Sequence, residues 1–249
     1  MSTVIKSIAS ENEKNNRQEL TDLFNSNPIF NDEKINNIGL FLKRQELSKI
    51  LFLNEIYSQI QSVHGVIFEF GVRWGQNLTT LNNLRGIYEP FNHSRKIVGF
   101  DTFTGFKGVS EKDGAYEYNL KGAFNVSENY QEYLENVLKC HENECPLNHI
   151  KKNSTVKGDA VHTLKAYLDL HKETIIAFAY FDFDIYHPTV ECLKVIKPYL
   201  TKGSIIGFDE LCDPGFPGET EALREVFGTS NFEIKRNRFS GIQSYLIFK

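Results

Sequence analysis

The sequence predicts an α/β domain built on an open, mostly parallel β-sheet with helices on both faces. Three observations predict it. Apolar runs of strand length alternate with segments of helical periodicity, as β–α–β crossovers require. Several runs are nearly continuous in apolar residues, as strands buried on both faces must be. Four of them end in or beside an acid: Glu69, Asp101, Asp182 and Asp209.

The elements follow in chain order. Residues 1–43 are rich in Asn, Glu, Lys and Ser, which predicts an N-terminal arm with one or two short helices ahead of a domain at 44–249. From Arg44 to Ser62, Leu47, Ile50, Leu51, Leu53, Ile56, Tyr57 and Ile60 recur at three- and four-residue intervals, the period of an amphipathic helix. Val66 to Phe70 is the first strand, and a glycine-containing turn leads to a helix from Asn77 to Leu84. Ile97 to Asp101 is the second strand. After a polar segment from Thr104 to Val126, a helix from Glu128 to Cys140 precedes a short strand at Ser154 to Lys157. Ile175 to Asp182 is another strand, followed by a helix from Thr189 to Tyr199 and a strand from Ser204 to Asp209. A helix at Thr220 to Phe227 and two β-rich runs, Phe232 to Arg236 and Gln243 to Phe248, complete the chain. The last two runs flank Gly241 and predict an antiparallel hairpin.

With 249 residues and no Pro/Gly/Ser-rich linker, the chain is long enough for one sizeable core. The net charge of −4 and the pI near 6.0 argue against nucleic acid or an anionic membrane as partner. No apolar run approaches the roughly 20 residues that span a bilayer, and the start lacks the apolar core of a signal peptide, so the expected address is cytoplasmic. Self-association as a homo-oligomer stays open. Four cysteines do not make a disulfide scaffold. Cys140, His141 and Cys145, with His149, form one metal knuckle without a second, and the simpler reading is a polar helix end and loop.

In an open parallel sheet, ligands bind beyond the carboxyl ends of the strands, so the strand-end acids line one rim. Glu69-Phe70-Gly71-Val72-Arg73-Trp74-Gly75 has glycines placed for a tight turn and a close backbone approach to a ligand. It is not the dinucleotide G-x-G-x-x-G pattern, and an acid there would repel a pyrophosphate. Asp101 is placed to accept both hydroxyls of a ribose. Asp182, Asp209 and Glu210, on neighbouring strand ends, could supply oxygen ligands to one hard cation such as Mg2+. Asp182 and Asp184 point to opposite sides if the strand continues, which favours Asp182.

Four runs together resemble the macrocin O-methyltransferase family: Phe68 to Gly75, Gly99 to Phe106, Asp182 to Thr189, and Asp209-Glu210. The resemblance extends through Gly122 to Ser127 and Lys157 to Ala160 and covers roughly residues 45 to 225. It implies a Rossmann-like class I methyltransferase fold with a seven-stranded sheet, and a metal-assisted O-methyltransferase acting on a sugar or glycosylated small molecule. It further implies that Glu69, Gly71 and Gly75 line the methionine end of S-adenosylmethionine. Asp101, with Thr102, would hold the ribose, and Gly158 and Asp159 would lie near the adenine. Asp182, Asp209 and Glu210 match the metal-binding acids, and Asp182 is also placed to take the substrate proton. The family usually has Asp at the position of Glu210 and Gly at that of Phe183.

Methyl transfer from a sulfonium is an in-line displacement, so the acceptor oxygen must be aligned and made nucleophilic. A metal can do both, with Asp182 or His187 accepting the proton. The segment 104–126 is long enough to close over the site as a lid, and its aromatics Phe106, Tyr116, Tyr118 and Phe124 could stack on a sugar. Two rivals are an NAD-dependent oxidoreductase and a non-catalytic adenosine-binding module. The missing third glycine and Glu69 count against the first; the three intact acids count against the second.

Overall fold

A computed structural model describes residues 9–114 and 119–249. Its strands are β1 (Val66–Phe70), β2 (Ile97–Asp101), β3 (Asn153–Lys157), β4 (Ile176–Phe181), β5 (Leu200–Phe208), β6 (Lys235–Arg236) and β7 (Ser244–Ile247). They form one seven-stranded sheet in the order β3-β2-β1-β4-β5-β7-β6. The first five strands are parallel, and β7 runs antiparallel to both β5 and β6. The hairpin therefore places its second strand inward, against β5.

The helices are α1 (Glu11–Asn25), α2 (Arg44–Ile60), α3 (Gln76–Tyr88), α4 (Tyr130–Asn143), α5 (Ala160–Leu170), α6 (Tyr186–Ile196) and α7 (Gly218–Val226). Two apolar layers enclose the sheet. Residues of α2, α3 and α4 pack on one face with Ile67, Ile97, Phe178 and Tyr180. Residues of α5, α6 and α7 pack on the other with Phe68, Phe70, Phe100 and Phe181. All five residues of β1 are buried, as its apolar run requires.

Several boundaries differ from expectation, for local reasons. The helix α5 was not anticipated: Asp159 caps it by accepting the Val161 N–H at 3.0 Å, and Leu164 and Leu168 supply its buried face. On α2 the buried stripe is Ser48, Phe52, Leu53, Ile56, Tyr57 and Ile60, whereas Leu47 and Leu51 are exposed. The expected face was thus rotated by part of a turn. α6 begins at Tyr186, ahead of the expected Thr189, because Pro188 is tolerated in a first turn. α1 in the arm starts with a capping box between Ser10 and Glu13 and has no buried residue.

Three buried cations fix the sheet's supports. Arg95 donates to the carbonyls of Ile60, Val63 and Gly65, which satisfies groups left open where α2 ends. Glu142 receives Arg85 at 3.0 Å and Lys152 at 2.6 Å, joining α3, α4 and the start of β3. The segment from Cys140 to Cys145 serves this buried ion group. All four cysteines are free, and no metal-ligating group among the described residues includes them.

Candidate active site

The strands β2 and β3 lie on one side of β1, and β4 and β5 on the other. The chain's direction of travel across the sheet reverses between β1 and β4, which opens a crevice beyond their carboxyl ends. A cleft of about 740 Å³ lies there. It is lined by Gly71, Gly75, Asp101, Thr102, Gly158, Asp159, Asp182, His187, Asp209 and Glu210, every expected site residue except Glu69.

The turn after β1 forms the cleft's floor. Gly71 has φ +92°, and a Cβ there would collide with the carbonyl oxygen of Asp182. Gly75, in the left-handed region, begins α3, and its Cβ would lie 2.4 Å from Leu134. Backbone leaves room only for glycine at Gly71, while at Gly75 the left-handed φ favours it. Between them, Arg73 also has positive φ, and its N–H donates to Asp101 Oδ2 at 2.7 Å. The N–H of Phe103 donates to Asp101 Oδ1. Burial raises the Asp101 carboxyl, and these backbone donors oppose the rise. Gly158 N–H donates to the Asp101 carbonyl at 2.9 Å, so the ends of β2 and β3 are also tied.

The acids gather at the other end. One carboxylate oxygen from each of Asp182, Asp209 and Glu210 lies within 4.8 Å of the others. Tyr180 OH and Gln243 Nε2 both donate to Asp209 Oδ1, the latter at 3.0 Å. Asn77 Nδ2 donates to Asp182 Oδ2 at 3.4 Å. Lys49 on α2 reaches both acids, its Nζ 3.1 Å from Asp182 Oδ2 and 3.0 Å from Asp209 Oδ1. Burial works against the Lys49 charge, but the two carboxylates outweigh it and keep the ammonium protonated. Burial and the charge of Asp209 push Asp182 up to about 6, with Lys49 opposing. Burial would raise Asp209 too, yet Lys49 and the surrounding donors hold it down at about 2.

Two placements differ from expectation. Glu69 lies beneath the floor with both carboxylate oxygens buried and without a hydrogen-bond partner among the described residues. Burial, then the charge of Asp182, raise its carboxyl well above the ordinary range. Asp184 does not point away from the cleft: β4 ends at Phe181, Asp184 has φ 63°, and its side chain lines the same cleft. The alternation argument fails because the strand stops first. The Tyr186 N–H, at the start of α6, is accepted by Asp113 of the 104–126 segment.

Lys49, Glu219 and Asp113 were not read from the sequence. Lys49 had a signal, because it lies three and four residues before Phe52 and Leu53 and so extends the buried stripe of α2. A cation on a buried stripe calls for an acid partner. Glu219, fully buried on α7, accepts the N–H groups of Phe183, Asp184 and Glu210 at 3.2, 3.4 and 3.2 Å. It holds the loops after β4 and β5 together, and nothing local in the sequence marks it.

No protein-family model matches the chain, and no curated protein does. Solved structures do. The crystal structure of CalS11, a calicheamicin methyltransferase, is 40% identical over 100% of this chain and 99% of that chain, with a TM-score of 0.94. The apo structure of CalS11, described as a TDP-rhamnose 3'-O-methyltransferase of calicheamicin biosynthesis, is 39% identical over 97% and 96%, with a TM-score of 0.85. The O-methyltransferase NovP shares the fold at 16% identity, over 80% and 79%, with a TM-score of 0.59. Among the described residues no helix is long and apolar enough to cross a membrane. With the glycine turn, the strand-end acids and this identity over the whole length, the chain belongs to the macrocin-type family of S-adenosylmethionine-dependent O-methyltransferases.

Proposed function

We propose that the protein methylates a hydroxyl of a sugar, carried either on a nucleotide or on a small molecule. One observation supports this above the others: Asp101 and the acids Asp182, Asp209 and Glu210 line one continuous cleft. A ribose held at Asp101 would direct the cofactor's sulfonium along the glycine turn toward those acids. An acceptor hydroxyl at that end would then meet the methyl group in line, with Asp182 beside it to take the proton. The activity of CalS11 on TDP-rhamnose supports a nucleotide-linked deoxysugar as the acceptor class.

The three acids fit a hard divalent ion such as Mg2+, since all offer oxygen within a small span. When bound, such an ion would lower the pKa of the acceptor hydroxyl and fix its direction. The residues Gly105, Phe106, Lys107 and Phe124 of the 104–126 segment line the cleft and would cover the bound sugar as a lid. Phe106 and Phe124 lie 5.1 Å apart, ring to ring, and the Arg73 guanidinium lies over Phe124 at 5.0 Å, which leaves Phe106 as the ring to stack on the sugar. Tyr116 and Tyr118 lie outside the described residues. His187 lines the outer part of the cleft and is the alternative proton acceptor.

The test is incubation with methyl-labelled S-adenosylmethionine and a panel of nucleotide-linked deoxysugars, free sugars and glycosylated small molecules. Mass spectrometry should find one added methyl on a sugar-bearing compound. Labelling confined to compounds without a sugar would refute the acceptor class.

A further inference from the structure

The acid group beside the acceptor end of the cleft already contains a cation. Lys49 comes from α2, outside the strand-end rim, and its side chain is only 20% exposed. Its Nζ makes both ion pairs at once, with Asp182 at 3.1 Å and Asp209 at 3.0 Å. The ring of Tyr180 lies beneath it, 5.8 Å from the ammonium, adding a weak attraction. Tyr180 OH also donates to Asp209, so acid, phenol and ammonium form one connected group. Two carboxylates this close would repel each other without a positive charge between them.

A divalent ion bridging Asp182 and Asp209 would have to approach the same oxygens. At a site this far buried, with Lys49, Asp182 and Asp209 20%, 23% and 12% exposed, it and an ammonium at hydrogen-bond distance would repel each other. The two cations are therefore alternatives. A lysine can yield the place at small cost, because its charge sits on a flexible stem. A receiver is at hand: Glu46 lies one turn earlier on the same helix face, lines the same cleft and pairs with Lys43 at 3.3 Å through one of its two carboxylate oxygens.

We propose that Lys49 is a built-in cation of the acceptor site, which holds Asp182 and Asp209 in the metal-free protein and must be displaced for a divalent ion to bind them. Lys49 thus sets the metal affinity of the site. It is a positioning residue for the two acids. The proposal rests on the reading of these acids as the acceptor end, but not on the identity of the acceptor.

Calorimetry with Mn2+ as probe tests it without turnover. Metal-free wild type, Lys49→Met and Lys49→Arg are titrated with Mn2+, and each is titrated separately with S-adenosylhomocysteine to verify the folded cleft. Removal of the competing charge should tighten Mn2+ binding in Lys49→Met by about tenfold or more, in line with the strength of charge-assisted hydrogen bonds. Lys49→Arg, which keeps the charge, should stay near wild type. Appearance of Mn2+ binding in Lys49→Met where wild type has none also supports the proposal. Equal or weaker Mn2+ affinity in Lys49→Met overturns it, including the case in which neither protein binds the ion. If Lys49→Met fails to bind S-adenosylhomocysteine, Lys49→Gln takes its place in the same comparison. Failure of the sugar assay would leave these titrations unchanged, so the two readings can fail separately.

Discussion

The backbone N–H of Arg73 donates to Asp101 Oδ2 at 2.7 Å, so the turn after β1 and the acid after β2 form a single unit. Asp101 thus has two duties. It shapes the turn, and in the proposed function its carboxylate also holds the ribose. Asp101→Ala should weaken S-adenosylhomocysteine binding by about tenfold or more, the value of hydrogen bonds to a charged group. Asp101→Asn, which keeps one acceptor oxygen, should lose less. Calorimetry with unchanged affinity in Asp101→Ala would remove Asp101 from the cofactor site.

Gly71 and Gly122 make a matched pair for testing the floor. Both have positive φ, but a Cβ at Gly71 meets the Asp182 carbonyl while one at Gly122 meets nothing within 4 Å. Gly122→Ala should cost only the dihedral strain, about 1–3 kcal/mol. Gly71→Ala should cost more and also reduce cofactor affinity, because the peptide carrying Asp182 must move. Equal losses of stability in urea titrations would show that the close approach carries no weight.

Asp182, raised to about 6 from an ordinary 3.8, ties both rate and stability to pH. Below about 6 it is protonated and cannot take the acceptor's proton, so methyl transfer should rise as pH passes through that value. The folded state holds this proton more tightly than the unfolded chain does. The contribution of Asp182 to stability therefore falls as pH rises between about 4 and 6. Asp209, held down at about 2, acts oppositely: its contribution is present above about 4 and is lost as pH falls toward 2. Asp182→Asn should accordingly gain stability relative to wild type between pH 4 and pH 7 and should be inactive at both. A stability difference that does not change with pH would contradict the raised carboxyl.

Glu219→Ala should destabilise the protein and scatter the acids together. Three backbone N–H groups would lose their acceptor, and a buried unpaired donor costs about 1–3 kcal/mol. Glu219→Gln keeps the acceptor for Phe183 and Asp184 but turns an NH2 toward the Glu210 N–H, so it should retain only part of the stability. Thermal unfolding of the two variants distinguishes this bracing role from a purely electrostatic one, in which both would behave alike.

The fold was legible where one residue's surroundings are set by its neighbours in sequence. The apolar runs of β1, β2, β4 and β5 announced buried parallel strands, and the acids that follow them announced the rim. Gly71 and Gly75 were legible as a turn because their conformation is local. α5 was passed over although Asp159 and the Leu164–Leu168 spacing marked it. What was not legible depends on contacts across the fold. Lys49 meets Asp182 across 133 positions, and Asp113 accepts an N–H at the start of a helix that begins 73 positions later. The side of the chain on which Asp184 falls depended on where β4 ends, which hydrophobicity alone does not fix.

The paired residues Phe100, Phe70, Phe181 and Phe208 lie side by side on β2, β1, β4 and β5, the last position of the strand in three cases and one before the end in β2. Phe70 stacks on Phe181 at 4.6 Å and on Phe100 at 5.3 Å, and Phe181 stacks on Phe208 at 5.5 Å. Asp101, Asp182 and Asp209 each follow directly after one of these rings, so the cleft acids are anchored to a single aromatic row, while the 104–126 segment supplies cleft contacts from outside it. For directed evolution this divides the chain into two kinds of position. Libraries aimed at a new acceptor belong at Phe106, Lys107 and Phe124, where variation leaves the anchored acids undisturbed. A change at Phe70, the middle of the row, would tilt the ends of its neighbours on both sides at once, and no choice of acceptor would restore the lost alignment.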